Sequence, residues 1–109
     1  MGDIAIQWLS GRISECLRDG DIVARTGGEE FVVVMQQAGL PTAEKAMERV
    51  RQHIKAGAVI LQDDSELPIT ISIGLSEYAR GEAFPELIKR ADTALYAAKR
   101  AGRDQVCTE

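Results

Sequence analysis

Two cysteines, Cys16 and Cys107, and one histidine, His53, are all the cysteine and histidine that this 109-residue chain holds. The cysteines stand far apart, with neither metal-site spacing nor the even clusters of a disulfide framework. They read as buried or idle thiols of a reducing cytoplasm. A single histidine argues against a multi-histidine metal centre or a Ser-His-Asp triad. His53 falls late in a predicted helix and reads as a solvated helix-end side chain. No apolar run approaches bilayer-spanning length, and the N-terminus has no signal-peptide pattern. Membrane contact by this segment is therefore not expected, and an anchor is expected only on a larger parent protein. Positive charge is also in deficit: 13 Lys and Arg against 17 Asp and Glu give a net charge of −4. That argues against a nucleic-acid polymer or an acidic membrane surface as partner. Phosphate recognition is left to a few local cations.

What is present is ordinary for a soluble globular domain, with 45% hydrophobic and 28% charged residues. The length allows one domain with a small core, and there are no repeats, low-complexity tracts or linkers. Ile6, Leu9, Ile13 and Leu17 recur at helical spacing and predict a helix over 3–18, with Asp3 as N-cap and Gly11 weakening it. Strands are predicted over 21–26 and 31–36. The second is continuously apolar, as for a strand covered on both faces. Thr42 is placed to cap a helix over 43–56 whose inner face is Ala46, Met47, Val50 and Ile54. Val59–Leu61 reads as a short strand and 63–66 as a polar turn. Ile69-Thr70-Ile71-Ser72-Ile73 alternates with period two and predicts a strand, with a bend at Gly74. Pro85 suits the first turn of a last helix over 84–101, with Leu87, Ile88, Ala91, Leu95 and Ala98 as its buried stripe and Gly102 at C′. Gln105-Val106-Cys107 is a candidate final strand.

Residues 27–31, Gly27-Gly28-Glu29-Glu30-Phe31, lie between two apolar runs. Glycines let a backbone turn tightly and approach a ligand, because no Cβ intervenes. Adjacent carboxylates supply hard oxygen donors for a cation. A strand, this tip and a second strand predict a hairpin presenting metal and phosphate ligands. Taken alone, such a tip is more often a plain solvated hairpin. Lys99 and Arg103 alone read as helix-end cations complementing the dipole, and Asp3 alone as an N-cap.

Three segments change that balance. Arg25-Thr26-Gly27-Gly28-Glu29-Glu30-Phe31-Val32-Val33 resembles the signature of the GGDEF domains, the bacterial diguanylate cyclases. Ile69–Leu75 resembles the family's TVSIG strand, and 91–103, from Ala91 to Arg103, its C-terminal helix motif. The three stand in the family's order and spacing and cover essentially the whole chain. Gly2-Asp3 resembles the pair opening the family's second helix. The resemblance therefore implies a partial GGDEF domain over 1–109. The implied fold is α+β, a two-layer palm-like (ferredoxin-like) sandwich related to nucleotide cyclases, lacking the first, central strand and first helix. The sheet is then expected to close up or rearrange, with pairing or swapping between copies, since open apolar edges associate.

The resemblance also implies roles. Two GTP molecules, one per subunit of a homodimer or higher oligomer, become cyclic di-GMP and two pyrophosphates. Glu29 and Glu30 match the catalytic, metal-holding acids for Mg²⁺ or Mn²⁺. Gly27 and Gly28 match the backbone that meets the nucleotide, Asp3 the carboxylate facing the guanine edge, and Lys99 and Arg103 the cations on the terminal phosphates. Arg18-Asp19-Gly20-Asp21 stands at the offset of the family's inhibitory Arg-x-x-Asp, with Arg49 as a further arginine, so that Arg18, Asp21 and Arg49 would bind product. The implied location is cytoplasmic, within a larger membrane or sensor protein. With the Asp-bearing first strand missing, the chain alone is expected to be inactive although its parent is an enzyme. The competing reading is a non-catalytic cyclic di-GMP-binding or dimerisation module.

Overall fold

A computed structural model describes residues 3–18, 22–27, 30–35 and 39–109, with side chains outside 22–31. Helix α1 (Asp3–Glu15) leads into strands β1 (Ile22–Gly27) and β2 (Glu30–Val34), then helix α2 (Leu40–Ala56). Short strands β3 (Ala58–Ile60), β4 (Glu66–Pro68) and β5 (Ile73–Leu75) follow. Helix α3 (Phe84–Arg100) and strand β6 (Val106–Thr108) close the order. The architecture is α+β, as expected.

Among the described residues the strands form three separate two-stranded sheets: β1 with β2, β3 with β4, and β5 with β6. The first two are antiparallel and the third is parallel, with Ile73 opposite Val106 and Leu75 opposite Thr108. A parallel pair needs a crossover, and α3 provides it. The sheet is thus divided rather than closed up.

Helix α2 buries the positions that its periodicity indicates. On α2, Ala46, Met47, Val50 and Ile54 are buried, and Ile54 is fully so. They meet Ala5, Leu9 and Ile13 of α1, with Val59 and Ile69 completing the core. Ile6 is buried as well, while Leu17 is half-buried.

Several expectations are corrected. Gly39, not Thr42, is the N-cap of α2; it has no side-chain cap, and Pro41 in the first turn starts the helix. The polar segment after β3 returns as β4, so 58–68 is a hairpin; its turn is fastened by Asp63 accepting from the Ser65 amide and hydroxyl. The period-two run 69–72 is not paired among the described residues; β5 begins only at Ile73, where β6 supplies a partner. Gly74 lies within β5 rather than at a bend. Its glycine is required by packing: a Cβ there would stand 2.2 Å from both the Ala91 carbonyl oxygen and the Leu95 amide nitrogen of α3. On α3 the fully covered residues are Ala94 and Ala98, while Leu87, Ile88, Ala91 and Leu95 are half-buried. Small residues let the helix sit that close to the strand. Val34 is 38% exposed, so β2 is not covered on both faces.

His53 is also corrected. Half-buried, it sets Nε2 2.7 Å from Glu15 Oε2, while its carbonyl accepts from Arg12 Nη2 at 2.7 Å. It thereby fastens α2 to α1 rather than standing in solvent. Cys16 and Cys107 are free and half-buried, and burial pushes the Cys16 thiol up.

Candidate active site

The hairpin β1–β2 is held in antiparallel register, with Arg25 opposite Phe31 and Gly27 opposite Glu30. The register shifts between Arg25 and Gly27, so Thr26 is a bulged residue beside the turn. Such irregularities re-aim the chain next to functional positions. Gly27 and Glu30 are thus brought face to face at the end of the ladder. Gly28 and Glu29, between them in sequence, lie outside the described residues, as does Asp21. The donor chemistry of Glu29 and Glu30 suits a hard divalent cation, since both are carboxylates and neither nitrogen nor sulfur enters the set.

Asp3 is exposed in the first turn of α1. Lys99, in the last turn of α3, and Arg103, just beyond it, are both exposed. The side chain of neither forms an ion pair among the described residues. Arg100, between them, leans over the Tyr96 ring at 5.7 Å. The end of α3 therefore offers two cations with their charge toward solvent.

The two arginines expected for product binding come from separate elements. Arg18 is exposed just after α1, and Arg49 is exposed on α2. Arg49 is near enough to Cys16 to favour its thiolate electrostatically, which puts it beside the same end of α1. It also lines a shallow groove with Glu44, Lys45, Glu48 and Val106.

A charged cluster that sequence reading does not find sits next to Arg103. Asp104 accepts from Lys55 Nζ at 2.6 Å on Oδ2 and from Arg51 Nη1 at 2.7 Å on Oδ1. Lys55 and then Arg51 hold its carboxyl below the ordinary aspartate range. Arg51 in turn pairs with Glu48, whose carboxyl is lowered chiefly by that bond. The residues come from positions 48–55 and 104, and only the folded chain unites them. A second clasp lies at the other end of α3. Arg90 binds both carboxylate oxygens of Glu82 at 2.6 and 2.8 Å and reaches the Glu77 carbonyl at 2.6 Å, fixing the loop before the helix.

No helix among the described residues is long and apolar enough to cross a membrane. The family model "Diguanylate cyclase, GGDEF domain" matches residues 1–105. Diguanylate cyclase A of Treponema denticola is 37% identical over 106 residues, which cover 96% of this chain and 28% of that protein. A crystal structure of the GGDEF domain of DgcB from Caulobacter crescentus in complex with c-di-GMP matches with a TM-score of 0.89 at 30% identity, over 94% of this chain and 61% of that one. Diguanylate cyclase SiaD from Pseudomonas aeruginosa, solved with its activator SiaC, matches with a TM-score of 0.88 at 36% identity, over 93% and 38%. The chain spans less than a third of the length of the curated relatives it matches most strongly.

Proposed function

This chain belongs to the GGDEF family, and from that membership we propose that it supplies the C-terminal portion of a diguanylate cyclase domain acting on GTP. The observation that carries the reading is the intact Gly27-Gly28-Glu29-Glu30-Phe31 signature spanning a bulged antiparallel hairpin. Supporting it are the exposed cations Lys99 and Arg103 at one helix end, without an ion pair among the described residues.

In this reading Glu29 and Glu30 would hold Mg²⁺ or Mn²⁺. When bound, the ion supplies charge neutralisation at the phosphates and activates the attacking hydroxyl. Gly27 and Gly28 let the hairpin backbone meet the nucleotide without a Cβ clash. Lys99 and Arg103 draw the terminal phosphates to the end of α3, where pyrophosphate leaves. Asp3 accepts from the guanine edge. Two copies face each other, each presenting one GTP, so that each 3′-hydroxyl attacks the other α-phosphate. Phosphoryl transfer of this kind rests on positioning and charge, and the named residues are of the types it uses. GTP is a cytoplasmic substrate, so we place the domain there. Arg18, Asp21 and Arg49 form a separate product site that restrains turnover.

The test is Mg²⁺-dependent conversion of GTP, assayed in this chain and in a longer protein carrying an upstream Asp-x-Asp strand. Turnover in the longer protein, lost on Glu29→Ala, supports the proposal. Cyclic di-GMP binding with no turnover in either overturns it in favour of a binding module.

A further inference from the structure

Three consecutive residues after α3 have positive φ: Gly102 at 121°, Arg103 at 63° and Asp104 at 48°. Glycine adopts such angles freely, aspartate occasionally and arginine rarely. The surroundings must hold them there. The Arg103 amide donates to the Ala98 carbonyl at 2.9 Å, closing the helix end in the manner of a Schellman turn. The Asp104 amide donates to Ser72 Oγ at 3.1 Å. Both Asp104 carboxylate oxygens are taken, one by Arg51 and one by Lys55, and Arg51 also reaches the Asp104 carbonyl at 3.4 Å. Asp104 is thus tied through its amide, carbonyl and carboxylate to α2 and to the segment before β5.

Its neighbour is tied in the opposite way. The Arg103 backbone is fixed on one side by Ala98 and on the other by Asp104, while its side chain is exposed. Such an arrangement fixes where a side chain starts and leaves its charge available. We propose that Asp104, braced by Arg51 and Lys55, is a positioning residue for the phosphate contact of Arg103. It holds the left-handed turn from which the exposed Arg103 side chain starts, just beyond the end of α3. This rests on the reading of Arg103 as a triphosphate ligand, and the test separates the two.

The experiment measures binding of GTP and of GMP, each with Mg²⁺, to the protein and its variants. Arg103→Ala should weaken GTP binding on the order of tenfold and leave GMP binding nearly unchanged, because GMP lacks the terminal phosphates. Asp104→Ala should reproduce that selective loss. Added to Arg103→Ala, it should cause no further loss, since both remove one contact. Asp104→Asn, which keeps an acceptor for Arg51 and tolerates positive φ, should retain most of the affinity. Lys55→Ala removes one arm of the brace at an exposed site and should give an intermediate loss, which keeps the test open if Asp104→Ala does not fold. Equal losses for GTP and GMP in Asp104→Ala, or an additive double variant, would mean a merely structural role and overturn the positioning role. Full GTP affinity in Arg103→Ala would overturn the ligand reading itself, and the positioning role with it.

Discussion

Gly74 of β5 and Leu95 of α3 are in backbone-to-backbone contact: a Cβ on Gly74 would lie 2.2 Å from the Leu95 amide nitrogen. Neither partner is a flexible side chain that can turn aside. Gly74→Ala should therefore force helix and strand apart and cost roughly 1–3 kcal/mol, as overpacking does. Gly11, inside α1 with nothing within 4 Å of its would-be Cβ, is the contrast. Gly11→Ala should stabilise by about 0.5–1 kcal/mol through helix propensity alone. Denaturant unfolding of the two variants should move in opposite directions, and a stable Gly74→Ala would contradict the contact.

Ile54 is fully buried between α1 and α2, whereas Ile60 in β3 is 55% exposed. Truncating Ile54 to alanine leaves a cavity at the centre of the core and should cost about 2–5 kcal/mol. Ile60→Ala should stay within about 0.5 kcal/mol. Equal midpoint shifts for the two would place the core elsewhere.

Asp104 gives the protein an acid-sensitive element. Its carboxyl lies below the ordinary value of 3.8 because Lys55 and Arg51 favour the charged form. A depressed folded-state value contributes stability that is complete above 3.8 and is lost as pH falls through the lower folded value. Asp104→Asn should accordingly be less stable than wild type at neutral pH, by of order 1 kcal/mol for so partly exposed a pair. The gap should narrow only on acidification below 3.8. Thermal melts across that window check both the size and the sign.

Arg18, exposed just after α1, and Arg49, exposed on α2, should govern cyclic di-GMP affinity. Calorimetry with Arg18→Ala should show binding weaker by about tenfold or more, the usual consequence of losing a bidentate arginine. Unchanged affinity would remove the product site from this surface.

The long helices were legible because apolar residues at a period of 3.6 leave one solution for the core: Ala46, Met47, Val50 and Ile54 could face nowhere else. The strands were legible only as extended chain. Alternation from Ile69 to Ile73 speaks of the residue's own conformation, but a ladder needs a partner, and pairing begins at Ile73 because β6 begins alongside it. Glu66-Leu67-Pro68 was missed for a related reason. An acid and a proline weigh against a strand, yet both are tolerated where one edge faces solvent. The candidate site divides likewise. Its signature residues are contiguous and could be read directly. The Asp104 brace unites 48–55, 72 and 104, and no periodicity encodes an ion pair between elements.

The parallel pairing of β5 with β6 also bears on how the chain acquires its structure. The stretch from Ile73 to Thr108 contains both partners of its ladder and the helix that covers them. It needs no residue earlier in the chain to satisfy that pairing, yet the two strands cannot meet until the whole of α3 is spanned. Closing that loop must precede any reward from the ladder. The helix, whose contacts are local, is then the element expected to form first and bring Val106 to Ile73. Folding of this region would slow with substitutions that weaken α3 and be nearly indifferent to those in β6, whose hydrogen bonds come last.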